Sequence, residues 1–293
     1  MDVLVCDLGF SSLKWIYGER QGRIISAFSY DGEKMVIGQE AMLLSGSSYL
    51  KTMEELVKYY PDFVKHCQQV AATGEDLLLA VGLPYSYWMD QKKPDGAVPA
   101  LAKSLTGGAI REVAVFPQGL GGIRDYLDGL PVRPMGNVLG IDIGFNTVIF
   151  TLFSPQRKQI IYGKTLSKRG VYQMATRFLL PRIKSLAPSA SFTPVELAVL
   201  IEKGHLQYAF ERHDIAREIH EAGAAYVDHI IRDVQGELQA HLGMDADFDR
   251  VLLFGGGTAL LKERFPAKNI EVVILPEPEF ANARGFRSLA GGK

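Results

Sequence analysis

Two stretches of this sequence carry a carboxylate where apolar residues would be expected. Asp7 follows Val3-Leu4-Val5-Cys6, and Asp142 is the one charge in Val138-Leu139-Gly140-Ile141-Asp142-Ile143. Each is followed two residues later by a glycine (Gly9, Gly144), then an aromatic (Phe10, Phe145), a polar pair (Ser11-Ser12, Asn146-Thr147) and a second apolar run. The pattern reads as strand, tight turn, strand, with glycine allowing the close turn. Hard carboxylate oxygens suit Mg2+, usually through water, when the metal is bound to nucleotide phosphates. Backbone amides of Gly9, Phe10, Ser11 and Ser12 and of Gly144, Phe145, Asn146 and Thr147 can grip phosphate oxygens from two sides. One Asp-x-Gly turn is an ordinary hairpin. Two in the same setting, about one domain length apart, point to a duplicated architecture with a nucleotide phosphate between its halves.

Other residues fit that chemistry. Gly255-Gly256-Gly257-Thr258 follows an apolar run and suits a place where backbone meets a flat or anionic ligand. It is neither a P-loop nor the glycine motif that opens a Rossmann unit. Gln118 follows the apolar run Val113-Ala114-Val115-Phe116 and can orient an attacking water without acting as a strong base. Taken alone, it reads first as a helix-start residue satisfying its own turn. Lys14 can pair with phosphate or lie on a strand face. His205, His213, His220, His229 and His241 show no ligand spacing and read as residues of exposed helix faces. Tyr85, Tyr87 and Trp88 read as packing or interface residues.

The elements that must hold these groups follow from the pattern. Residues 2–7, 11–17, 23–30 and 35–37 read as a strand meander, with Asp31-Gly32 as a hairpin turn. Residues 51–69 have helical spacing as far as Pro61, with room to resume beyond it. Leu77 to Leu83 reads as a buried strand stopped by Pro84, and 97–105 as a short helix. The second half repeats the plan. A meander spans 139–164, a helix follows Gly170, and Thr193-Pro194 starts another helix. A long helix covers 214–242, with Ile215, Ile219, Ala222, Tyr226, Ile230 and Val234 on one stripe. Residues 250–254 and 270–275 read as buried strands, and 278–289 as a last helix.

Composition bounds the function. The chain has 293 residues, 47% hydrophobic and 22% charged, the values of an ordered globular protein. A net charge of -1 argues against a general nucleic-acid or membrane surface. No apolar run approaches the ~20 residues of a membrane span. Cys6 and Cys67 lack metal-ligand spacing and read as reduced core thiols. Met1-Asp2-Val3-Leu4 enters a strand pattern directly, without the basic region of a signal peptide, and a cytoplasmic protein is expected.

In this order, the segments resemble the actin/Hsp70/sugar-kinase superfamily. The first phosphate loop matches Asp7 to Lys14, the first connecting segment Phe116-Pro117-Gln118-Gly119, and the second phosphate loop Ile141 to Thr147. The adenosine motif matches Leu253 to Thr258, and the second connecting segment looks like Phe280 to Gly285. The set spans nearly the whole chain and looks most like actin-like proteins of the ParM plasmid-segregation type. Gly82-Leu83-Pro84, the Asn-Ala-x-Gly-Phe ending and the compact length point there. Glutamine at position 118 is the residue found in actin, where ParM-type proteins often carry glutamate.

The resemblance implies an α/β, two-lobed actin-like (duplicated ribonuclease-H-like) fold with nucleotide in the cleft. Its first domain would hold residues 1–138 with 276–293, and its second 139–275. ATP (or GTP) and Mg2+ would bind between them, and self-association would give a homopolymeric filament with nucleotide-dependent dynamics. Asp7 and Asp142 become metal-side carboxylates acting through water, Gln118 the water-orienting residue, and Gly255 to Thr258 part of the nucleotide clamp. A role in plasmid or DNA segregation, or in another cytoskeletal task, would add a DNA-binding adaptor as partner, with no direct nucleic-acid contact. The alternative is a small-molecule kinase of the same superfamily. It needs a base to take the substrate's proton, and Asp90 and Asp95 are the candidates in the first half. A non-catalytic nucleotide-binding scaffold is disfavoured by the presence of Asp7, Asp142 and Gln118.

Overall fold

The computed structural model describes residues 1–243, 247–258 and 270–291. The chain opens with β1 (Asp2–Leu8), β2 (Ser12–Tyr17) and β3 (Arg20–Ile25), followed by β4 (Ala27–Asp31), β5 (Lys34–Ile37) and the short β6 (Ser48–Tyr49). The run expected as one strand over 23–30 is thus two strands broken at Ser26. There Ser26 Oγ donates to Gly9 O at 2.5 Å, and the chain leaves the first sheet for a small one ordered β5-β4-β6. Helix α1 (Met53–Val70) starts at a capping box between Thr52 and Glu55. It runs through Pro61 without interruption. A proline inside a helix costs about 3 kcal/mol. Leu56 and Tyr60 before it and Phe63, Val64 and Cys67 after it are all buried, each contributing roughly 1.5–3 kcal/mol for a large apolar side chain.

Strand β7 (Leu77–Leu83) leads through Pro84 into α2 (Tyr85–Gln91), then α3 (Ala97–Leu105), β8 (Ile110–Pro117) and α4 (Leu120–Asp128). The second half begins with β9 (Val138–Ile143), β10 (Thr147–Ser154) and β11 (Gln159–Ser167). The helix after Gly170 has three parts: α5 (Val171–Gln173), a π-helical segment (Met174–Leu179) and α6 (Leu180–Ile183). The wider turn precedes Pro181, which has no N–H to offer the carbonyl four residues back. Then come α7 (Pro194–Lys203), the hairpin β12 (His205–Tyr208) and β13 (Glu211–Asp214), α8 (Ala216–Leu242), β14 (Arg250–Phe254), β15 (Glu271–Ile274) and α9 (Ala281–Leu289). His205 and His213 therefore lie on strands, while His220, His229 and His241 lie on α8.

Both large sheets have one topology. The first is ordered β3-β2-β1-β7-β8 and the second β11-β10-β9-β14-β15. In each, the first strand pairs antiparallel with the second and parallel with the fourth. The near-continuous apolar, buried runs of β1 and β9 reflect this central placement, since both are covered on two faces. One core lies between the second sheet, α8 and the α5–α6 run, and another between the first sheet, α1 and α3. Cys6 of β1 and Cys67 of α1 meet in the latter with their sulfurs 3.5 Å apart, both free thiols. Between the sheets, α9 packs on β1, β2 and β7, and α4 on β8, β9 and β14, and the two helices pack on each other. Among the described residues no helix is long and apolar enough to cross a membrane.

Candidate functional site: a cleft between two duplicated hairpins

The two Asp-bearing hairpins have matching turns. Gly9 N donates to Ser12 O at 3.1 Å, and Gly144 N donates to Thr147 O at 2.9 Å. The amides of Phe10 and Ser11, and of Phe145 and Asn146, lie at the turn tips outside either ladder. The register is also shared: Asp7 faces Lys14 across β1–β2, and Asp142 faces Ile149 across β9–β10. Only the first hairpin thus places a lysine opposite its carboxylate.

Tyr60 shapes the first of these hairpins. The parallel ladder between β1 and β7 ends at Cys6 and Val81, and both strands continue. The Tyr60 hydroxyl fills the gap. It donates to Cys6 O at 2.6 Å and accepts from Leu8 N at 3.2 Å and Gly82 N at 3.3 Å. One buried side chain therefore satisfies the backbone on both sides of Asp7.

A cavity of about 550 Å³ lies between the hairpins. Asp7, Gly9, Phe10, Ser11, Ser12 and Lys14 line one wall, with Gln118 beside them. Asp142, Gly144, Phe145, Asn146 and Thr147 line the other, with Gly255, Gly256 and Gly257. Thr258 stands apart from this group. It is fully buried, and its hydroxyl donates to Phe254 O at 2.5 Å, closing the strand end rather than lining the cavity. Asp90 and Asp95 do not line the cavity either; both are exposed. Tyr85 is buried with its ring against Gly163, and Trp88 donates its indole N–H to Val115 O at 3.0 Å, so both are packed in place.

Sequence reasoning missed two contributors, Arg23 and Glu202, and gave Asn282, within the second connecting segment, no role of its own. Arg23 pairs with Lys14 across β2–β3 and lines the cavity, adding a second cation. Glu202, near the end of α7, lines it as well. Asn282 on α9 is 4% exposed and donates Nδ2 to Asp142 Oδ2 at 2.7 Å. For Arg23 the signal was the register: a hairpin that puts Lys14 beside Asp7 puts Arg23 on the next strand. Neither Glu202 nor the contact of Asn282 with Asp142 had a local signal, because tertiary packing makes both.

The electrostatics of the cleft are unbalanced. Asp7 accepts from Gln118 Nε2 at 2.7 Å. Burial pushes its carboxyl up from the ordinary range, while the Lys14 ammonium and the Gln118 amide pull it partly back. Burial first and the Asp7 charge second push Asp142 up to about 6, against the Asn282 amide and Lys14. Two buried carboxylates that repel each other across one cavity, with hydroxyl and backbone donors around them, are a fitting donor set for a metal that arrives with phosphates. Among the described residues no group of three or more His, Cys, Asp or Glu could hold a metal unaided. Gly255 fits the same picture. A Cβ there would come within 2.2 Å of Asp142 Oδ1, so only glycine lets this loop pass against the carboxylate.

No family model matches this chain, and no curated protein matches it. Solved structures do. An archaeal actin homologue, Ta0583, in complex with ADP superposes with a TM-score of 0.78 at 18% identity, over 99% of each chain. A non-polymerisable quadruple mutant of pCBH ParM gives 0.75 at 17% identity over 99% of each chain. A MamK double helical filament gives 0.70 at 17% identity, again over 99% of each chain. The paired sheets of identical topology and these full-length superpositions establish that the chain has the two-lobed actin-like fold.

Proposed function

We propose that this protein is an actin-like ATPase whose filament assembly is governed by nucleotide bound in the cleft. One observation carries the reading: two sheets of the same topology bring Asp7 and Asp142 to one cavity, and Gln118 is hydrogen-bonded to Asp7 inside it. The lobes are taken as residues 1–138 with 276–293, and 139–275. The turn amides of both hairpins, with Lys14 and Arg23, bind phosphate, and the glycines from Gly255 to Gly257 face the nucleoside side. Thr258 supports that loop from beneath.

Magnesium nucleotide supplies the transferable phosphoryl group and a cation that neutralises its charge. Asp7 and Asp142 would hold the cation, through water. The NH2 of Gln118 is committed to Asp7, so its Oε1 is the end left to accept a hydrogen from the attacking water. This orients the water without requiring a base. Phosphate contacts from both hairpins link the lobes, so the triphosphate favours the closed, assembly-competent shape, and loss of the γ-phosphate releases it. Support for self-assembly comes from the fold shared with ParM and MamK filaments. A role in DNA segregation through an adaptor protein, and residence in the cytoplasm, belong to the same reading.

A kinase of the same superfamily is the second reading, and the position of Asp90 and Asp95 away from the cavity disfavours it. Light scattering separates the two. Addition of ATP with Mg2+ is expected to produce a rise that EDTA prevents. A protein that stays monomeric and transfers phosphate to a small alcohol would overturn the filament reading.

A further inference from the structure

The carboxylates of the two sheets are joined by a continuous chain of polar contacts. Asp7 Oδ1 accepts from Gln118 Nε2 at 2.7 Å. The next residue, Gly119, donates its backbone N–H to Asn282 Oδ1 at 3.1 Å, and Gly122 donates to the same oxygen at 3.2 Å. Asn282 Nδ2 then donates to Asp142 Oδ2 at 2.7 Å.

The arrangement is a helix cap supplied from outside. Helix α4 begins after Gly119, which has no side chain to cap it. Its first N–H groups would be left without a partner in a buried place. Asn282 accepts from them as a capping side chain would, but from α9. The two helices cross closely enough to fix this geometry: a Cβ at Gly285 would fall 1.8 Å from Gly121 O. The buried amide thus has its oxygen on the Gln118–Gly119 turn and its nitrogen on Asp142.

We propose that Asn282 is a positioning residue for nucleotide hydrolysis, holding the metal-side carboxylate of Asp142 at a fixed offset from the turn that carries Gln118. The proposal rests on the reading of the cleft as a site of ATP hydrolysis. It gives the C-terminal helix a part in the chemistry. A change in the angle between the lobes that moves α9 against α4 alters Asp142 and Gln118 together.

Two variants divide the amide's roles. Asn282→Asp keeps an oxygen for Gly119 and Gly122 but replaces the amide donor to Asp142 with a carboxyl that donates only while protonated, so it is assayed at pH 8 and above. Asn282→Leu removes both at similar volume. In the nucleotide-free protein, amide hydrogen exchange over 117–123 should match the parent for Asn282→Asp and rise about tenfold for Asn282→Leu, the loss of roughly one hydrogen bond. At saturating ATP and Mg2+, Asn282→Asp should lose about tenfold to a hundredfold in kcat, as partners that orient metal-side ligands do. A purely structural residue would lower thermal stability and leave the folded fraction's kcat at the parent value. Parent-like kcat in Asn282→Asp overturns the proposal, as does parent-like exchange over 117–123 in Asn282→Leu. Should Asn282→Leu fail to fold, the Asn282→Asp kcat decides alone. A parent protein that releases no phosphate overturns the hydrolysis reading itself, and with it this role for Asn282.

Discussion

Asp142 is held where both burial and the neighbouring charge of Asp7 oppose its ionisation, and its carboxyl is pushed up to about 6. The native state therefore binds this proton more tightly than the unfolded chain. The resulting stability is fully present below the unfolded value of 3.8 and is lost as pH rises through about 6. By neutral pH the nucleotide-free protein has lost a contribution of at most roughly 3 kcal/mol. Asp142→Asn should accordingly raise the melting temperature of nucleotide-free protein in EDTA at pH 7.5 and have little effect at pH 4.5. The same variant should lose the stabilisation that Mg2+-ATP confers on the parent. Scanning calorimetry at both pH values reads the outcome; a variant less stable than the parent at pH 7.5 would contradict the assignment. Asp7 is pushed in the same direction for the same first reason, so the cleft as a whole favours a bound cation.

At the scale of elements, the hairpins were legible because their signal is local. An apolar run, an Asp and a glycine two residues on fix a turn wherever they occur. What the sequence hid was set by tertiary contacts. Pro84 reads as the end of a strand, yet it also precedes α2, whose Tyr85 is buried against Gly163. The β12–β13 hairpin was given no element, apart from Asp214 at the start of the long helix, because its second strand, Glu211-Arg212-His213-Asp214, has no apolar residue to mark it. Pro61 reads as a break, but buried residues on both sides carry α1 through it. That continuity matters because Tyr60 on α1 holds the backbone around Asp7. Tyr60→Phe should keep the packing but leave buried amides without a partner, at a cost of about 1–3 kcal/mol. Urea denaturation would show this as a lower midpoint at unchanged slope; an unchanged midpoint would mean the gap between β1 and β7 closes without the hydroxyl. Gly285→Ala, by wedging α9 away from α4, should be worse than a typical helix glycine replacement, which alone would stabilise by up to ~1 kcal/mol.

For the whole molecule, the duplication itself explains why a ligand would govern shape. Each sheet contributes a hairpin that lines the cavity, and the helices α4 and α9 lie between the sheets in mutual contact. On the proposed function, a γ-phosphate bound by both hairpins would link the lobes, and its removal would break that link. Head-to-tail contacts between closed subunits would be heterologous, and where they do not close on themselves they give a filament. The proposed function implies an order of events: nucleotide would bind, subunits assemble, Gln118 orient water, phosphate leave and the filament come apart. Phosphate release measured alongside sedimentation of polymer, for the parent and for Gln118→Ala, tests this sequence most directly. The variant should pellet with Mg2+-ATP as the parent does and disassemble slowly. Its phosphate release should fall by about tenfold or more, at least roughly 1.4 kcal/mol of lost transition-state stabilisation. Phosphate release at the parent rate from Gln118→Ala polymer would contradict the account.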